Sequence, residues 1–190
     1  MPRKPPPTSF RLFVAIYPPR ELAESLLATL PALNLPANRP TPIDQVHLTL
    51  QFIGDTRRNH VDEVLESVER AAGGIGSFRL SPTRLVTLPC DGAQPPRLVA
   101  ADTDAPAALM ELQRRLAHRL ARNARERAGD RFRPHLTLCR FANERGNPVI
   151  DLPLAGYAPF DVAEVCVMCS TLHSWGPKHD EIRRVALTSR

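Results

Sequence analysis

The sequence predicts an α+β protein in which helices flank a mostly antiparallel sheet built in two related halves. Three observations lead there. Apolar periodicity switches along the chain between the spacing of strands and that of helices. The order strand, helix, strand occurs twice. Each occurrence ends in the same tetrapeptide, His-Leu-Thr-Leu, at 47–50 and 135–138.

Residues 10–17 form a short apolar run suited to a buried strand. Pro18 and Pro19 end it and leave Pro19 at the first turn of a helix expected over 20–30. A Pro- and Asn-rich connection over 31–42 leads to a second strand over 46–53, closed by Gly54 and Asp55. Val61, Val64, Leu65 and Val68 recur at helical spacing within 60–72, and Gly73 and Gly74 stop that helix. Alternation over 78–88 predicts a strand. Beyond a loop over 89–96 the first order returns, as a strand over 97–101, a helix from 106 to about 127 and a strand over 135–141. The last third reads as two strands, 158–172 and 181–187, around a loop over 173–180. Residues 1–8 are rich in Pro and charge and read as an unpacked tail. One bilobal domain is therefore expected over 9–190.

A chain of 190 residues with 43% hydrophobic content has the composition of a globular protein with a core, which excludes disordered and fibrous classes. The formal net charge of +5 favours an anionic partner such as nucleic acid. No apolar run approaches the roughly 20 residues of a membrane span, and the first residues lack the apolar stretch of a secretory signal, so a cytoplasmic location is expected. Four cysteines are too few for a disulfide scaffold. Cys166 and Cys169 form a CxxC pair, but on a strand an offset of three sends them to opposite faces, which makes them a poor grip for one metal ion.

On a strand, side chains two apart share a face, so His47 and Thr49 point one way while Leu48 and Leu50 enter the core. His135 and Thr137 repeat the arrangement over Leu136 and Leu138. In-line cleavage of a phosphodiester needs one group to take a proton from the attacking oxygen and another to give one to the leaving oxygen, and two imidazoles can do both. The hydroxyls can donate to non-bridging phosphate oxygens. An ordinary amphipathic strand would also read His-Leu-Thr-Leu, but two copies, each after a helix and a polar or Pro-containing connection, ask coincidence to explain sequence and context together.

The strings FRLFVAI at 10–16, HLTLQFIG at 47–54 and FRPHLTLCR at 132–140 resemble the 2H phosphoesterase superfamily, and within it the RNA 2′,3′-cyclic phosphodiesterases, also called 2′-5′ RNA ligases. The resemblance runs from about Ser9 to Leu187. It implies a bilobal α+β fold, two pseudo-symmetric antiparallel sheets with flanking helices and a central cleft between the lobes, and hydrolysis of a terminal 2′,3′-cyclic phosphate to a 2′-phosphomonoester, without metal or other cofactor. It further implies reversible 2′-5′ ligation of tRNA halves as a lesser activity. By matching positions His47 is the proton donor to the departing 3′ oxygen and His135 the base that activates water. Thr49 and Thr137 hold the phosphate, and Arg140 adds charge. The odd offset of Arg140 from His135 turns it away from the cleft unless the strand ends or bulges near Cys139. Relatives carry an aromatic residue after Ser-x-Leu and a Gly, where this chain has His179, and a nucleobase could stack there or on Trp175.

Arg114, Arg115, Arg119, Arg122, Arg125 and Arg127 gather charge ahead of the second motif, either to meet RNA backbone or as a solvated face. His60 and His118 read as surface or capping residues. Glycine-rich nucleotide loops, GxSxG elbows and HExxH helices are absent from the sequence. The expected partner is RNA with 2′,3′-cyclic phosphate ends, met by a monomer. The alternatives are the same chemistry on a small cyclic nucleotide, a 2′-5′ oligoadenylate or an ADP-ribose cyclic phosphate, and a binding module for RNA without chemistry.

Overall fold

The computed structural model describes residues 9–90, 94–120, 132–142, 147–173 and 176–189. Strand β1 (Ser9–Ile16) is followed by helix α1 (Arg20–Leu27), a short 3-10 turn at Leu30–Leu33, strand β2 (Asn38–Pro40), a second 3-10 turn at Ile43–Gln45, and β3 (Leu48–Arg57). Helix α2 (Val61–Ala72), β4 (Phe78–Leu80), β5 (Pro82–Leu88), β6 (Leu98–Thr103), helix α3 (Ala107–Leu120) and β7 (His135–Phe141) come next. The chain closes with β8 (Asp151–Pro153), β9 (Phe160–Val162), β10 (Glu164–His173) and β11 (Gly176–Ala186).

The main sheet runs β11-β10-β1-β3-β7-β6-β5-β8, with β2 beside β7. It divides into two four-stranded antiparallel halves, β3-β1-β10-β11 and β7-β6-β5-β8. They meet at a single pairing, Leu48 with Leu136. The first and last parts of the chain therefore build one lobe and the middle builds the other. Beyond Leu136, β2 takes over as the partner of β7.

Both helical faces follow from apolar spacing. In α3, Leu109, Leu112, Leu116 and Ala117 are buried at successive turns, and in α2 so are Leu65, Val68, Ala71 and Ala72. The two helices pack on each other, and α3 also lies on β3, behind the joint between the lobes. Leu12, Val14, Ile16, Leu48, Leu50, Leu136 and Leu138 belong to this core. Burial of each such side chain stabilises by about 1.5–3 kcal/mol. A smaller cluster of Phe13, Ala15, Cys166 and Met168 covers the opposite face of β1 and β10.

Several expected boundaries differ, each for a local reason. Gly54 does not close its strand: with φ at 76° it absorbs a register shift between Leu12 and Phe13 on the partner, and β3 continues to Arg57. The strand expected over 78–88 is broken at Ser81, whose amide donates to the Asp104 carboxylate, and β4 leaves to pair with β9 in a small separate sheet. The loop expected over 173–180 is largely strand, because β11 begins at Gly176 and pairs with β10 as a long hairpin. Helix α1 stops at Leu27, short of the expected 30. The tail at 1–8 and the stretch expected to continue α3 to about 127 lie outside the described residues. Among the described residues no helix is long and apolar enough to cross a membrane.

Candidate active site

The alternation expected of the tetrapeptides is present in both copies. Leu48 and Leu136 are fully buried, Leu50 and Leu138 nearly or fully so, while His47, Thr49, His135 and Thr137 are half-buried on the face away from the helices. His47 sits just ahead of β3, and His135 is the first residue of β7. Each imidazole is fixed in the same way. His47 Nδ1–H donates to the Gln45 carbonyl at 2.7 Å, and His135 Nδ1–H donates to the Arg133 carbonyl at 2.8 Å. Because a carbonyl can only accept, each Nε2 is left as the atom available for proton transfer.

Register explains what the offset of Arg140 left open. On β7, Thr137 pairs with Ala100 but Cys139 pairs with Val99, so Leu138 is an extra residue, a β-bulge. The bulge reverses the parity beyond it and puts Arg140, opposite Leu98, on the face that carries His135 and Thr137. The first motif does the same. Thr49 pairs with Ala15 and Gln51 with Val14, so Leu50 is the extra residue, and Phe52, opposite Phe13, joins the face of His47 and Thr49. Phe52 and Arg140 thus occupy the same place, five residues after each histidine.

Further side chains meet the site that sequence reasoning did not find. Arg39 on β2 stands directly opposite Arg140, which places two cations on one face. Around His47 lies a group of rings: Phe13 at 5.1 Å between centroids, His179 at 5.2 Å and Tyr17 at 5.4 Å, with Phe52 6.2 Å from Phe13. Two buried polar atoms here, Tyr17 Oη and His179 Nδ1, find no partner among the described residues. The repeat itself was the signal for Phe52, since aligning the two motifs sets it on Arg140. Arg39 and Tyr17 became visible only through strand register.

Burial disfavours the charged form of both imidazoles in the free protein. Burial is the main cause at His47, whose pKa falls from 6.5 to about 4 against the opposing pull of the Gln45 carbonyl, with His179, Arg140 and His135 adding repulsion. His135 is also lowered by burial, opposed by the Arg133 carbonyl and by the Asp102 charge. Burial likewise lowers His179 and raises the Tyr17 phenol.

The remaining sequence expectations sort as follows. His179 lies in the ring cluster, whereas Trp175 lies outside the described residues. Cys166 belongs to the small cluster and Cys169 to the main core, so the CxxC pair does point to opposite faces. Among the described residues no group of three or more His, Cys, Asp or Glu side chains converges as a metal site would require. Of the arginine row, Arg114 and Arg115 are both bonded to Glu111, which absorbs part of their charge, and Arg122, Arg125 and Arg127 lie outside the described residues. His60 bonds Glu63 at the start of α2, and His118 is exposed.

Comparison with known proteins agrees with this architecture. The chain is 28% identical to an RNA 2′,3′-cyclic phosphodiesterase of Escherichia coli strain K12, over 94% of its own length and 97% of the relative's. A solved structure of E. coli LigT complexed with 3′-AMP superposes with a TM-score of 0.73 at 26% identity, covering 95% of this chain and 99% of the other. A Thermus thermophilus protein of known structure shares the fold, with a TM-score of 0.79 at 23% identity, over 93% and 97% of the two chains. The sequence profile of the 2′-5′ RNA ligase superfamily matches residues 18–171, most of the length, and the chain belongs to that superfamily.

Proposed function

We propose that the protein is an RNA 2′,3′-cyclic phosphodiesterase that opens a terminal cyclic phosphate to a 2′-phosphomonoester by metal-independent acid and base catalysis. The observation that carries this reading is the paired geometry of the two motifs: each imidazole is fixed through Nδ1, offers Nε2, and stands beside a threonine hydroxyl on one continuous face. The named activity of the E. coli relative supports the same chemistry.

In this mechanism His135 Nε2 takes a proton from water as its oxygen attacks phosphorus. The bond to the 3′ oxygen breaks, and that oxygen takes the proton from His47 Nε2, leaving a 3′ hydroxyl and a 2′-phosphate. Thr49 and Thr137 donate to the non-bridging oxygens, and Arg140 offsets their charge. His47 must be protonated to act as the acid, although burial holds it neutral in the free protein. The anionic phosphate opposes the effect of burial, since a negative charge within about 4–6 Å favours imidazolium. Phe52 and His179, with buried Phe13 packed behind them, form a wall on which the terminal nucleobase stacks. With a 5′ hydroxyl in place of water as the nucleophile, the same opening of the cyclic phosphate forms a 2′-5′ linkage and a 3′ hydroxyl, for which tRNA halves are suitable ends. Both motifs come from one chain, which suits a monomer, and the RNA substrate suits the cytoplasm.

The test is to incubate the protein, in excess EDTA, with an oligonucleotide ending in 2′,3′-cyclic phosphate, beside 2′-5′ oligoadenylate and small cyclic nucleotides. Turnover to a 2′-phosphate is expected, with large losses in His47→Ala and His135→Ala. A 3′-phosphate product, turnover restored only by a divalent ion, or tight salt-sensitive binding with no product overturns the reading.

A further inference from the structure

The two halves of the sheet place a different residue beside each histidine. Asp102 on β6 stands opposite His135. Extending the β1–β3 register one residue beyond Ile16 and Leu48 sets Tyr17 opposite His47, where the two rings lie 5.4 Å apart. Tyr17 ends the string VAIY and Asp102 ends VAAD, so they hold the same place in the repeated unit. Two imidazoles with the same local anchoring thus have unlike neighbours, a phenol for one and a carboxylate for the other.

Asp102 is nearly buried, and its carboxylate receives Arg133 in a fork, from Nε at 2.9–3.0 Å and from Nη2. The same Arg133 supplies the carbonyl that receives His135 Nδ1–H. On the far side of Asp102, Arg84 is opposite in register and is tied to Asp151. A row of paired charges therefore crosses β8, β5 and β6 and ends at the imidazole. A guanidinium held by two or more hydrogen bonds keeps one orientation, and here it ties the chain ahead of β7 to β6, beside the bond from the Thr103 amide to the Pro134 carbonyl.

We propose that Asp102 and Arg133 are positioning residues for His135: the fork between them fixes the peptide carbonyl that orients the ring, and the carboxylate steadies the imidazolium formed when the ring takes a proton. This rests on the reading of His135 as the base. The charged and titratable groups that act on His135 are Asp102 from β6, Arg133 ahead of β7, Arg140 on β7, and His47 across the joint. Asp102 raises its proton affinity, while Arg133 and Arg140 lower it. His47 has no carboxylate in the matching place, so the motif that is symmetric in sequence is asymmetric in proton affinity.

The experiment is a titration of the histidine rings by NMR in the full chain, which needs no turnover, combined with the pH profile of kcat/KM on a cyclic-phosphate oligonucleotide. Asp102→Asn is expected to lower the His135 pKa by about one unit and leave His47 in place. The pH profile of kcat/KM should move down with it, and its maximum should fall roughly tenfold. Arg133→Gln should move the His135 pKa the other way, since it removes a cation. A merely structural pair would shift both variants in the same direction by exposing the ring. Asp102→Glu should restore most of the rate. Unchanged titration of His135 in both folded variants, or shifts of the same sign, overturns the proposal. If His135 shifts as expected but the wild-type protein leaves cyclic-phosphate RNA intact, the positioning pair stands and the functional reading falls.

Discussion

Burial of His47 should contribute to acid sensitivity in a window set by two pKa values. In the unfolded chain this imidazole titrates near 6.5, and in the folded protein near 4. Above 6.5 both states leave it neutral and it contributes no pH dependence. As the pH falls from 6.5 towards 4 the unfolded chain binds a proton that the folded one refuses, so stability is lost, up to about 3 kcal/mol for the full difference. That is a large part of the roughly 5–15 kcal/mol typical of a domain. The perturbation is His47→Gln, which removes the titration and keeps a polar side chain. Urea unfolding of both proteins at pH 7.5 and pH 4.5 is the assay. Between these conditions the wild type should lose about 2–3 kcal/mol more than the variant, a difference of about 0.7–3 M in midpoint for a urea slope of about 1–3 kcal/mol/M. Parallel losses in the two proteins would refute the claim that burial sets the charge of His47.

The same burial predicts proton uptake on binding: inorganic phosphate should bind more tightly as the pH falls from 7.5 towards 5.5, and calorimetry in buffers of different ionisation enthalpy should show the proton entering, whereas His47→Gln should lose most of the effect. Arg39→Gln should raise KM for RNA severalfold and flatten its salt dependence by about one charge, with kcat little changed; an unaltered salt slope would remove Arg39 from the site. Leu48→Ala opens a cavity at the joint of the two lobes and should cost about 2–5 kcal/mol by denaturant unfolding, and it should lower kcat at temperatures where the variant is still folded. A stability loss with an unchanged kcat would show that the histidines do not depend on that joint for their spacing.

The sequence carried much of this because the site is built on strands. Period-two alternation put His47, Thr49, His135 and Thr137 on one face, and burial of the four leucines follows the same rule. Arg140 was out of reach of that rule. A bulge adds a residue without altering local composition, and Leu138 looks like any other strand leucine until its partners on β6 are known. Arg39 and Asp102 meet the site only across strands that are distant in sequence, and pairing of that kind is set by tertiary packing rather than by local pattern. The start of β11 resembles a loop in sequence because Gly176, Pro177 and Lys178 are poor strand formers, yet ladder bonds to β10 hold them extended.

The paired bulges explain how one tetrapeptide can serve the core and the site together. On a flat strand the fifth residue after each histidine would face the helices, and Arg140 would be a buried cation without a partner. One extra residue, Leu50 in the first motif and Leu138 in the second, keeps both leucines in the core and turns that fifth position outward. The position is then free to differ between the halves, and it does: an aromatic ring at Phe52 and a cation at Arg140. On the proposed reading this gives the substrate a direction. The ring side, with Phe52 and His179, receives the base, and the cation side, with Arg39 opposite, receives phosphate charge. A duplicated motif that presented identical groups at both fifth positions would bind a cyclic phosphate in two opposed orientations, and only one of them would set the 3′ oxygen against His47.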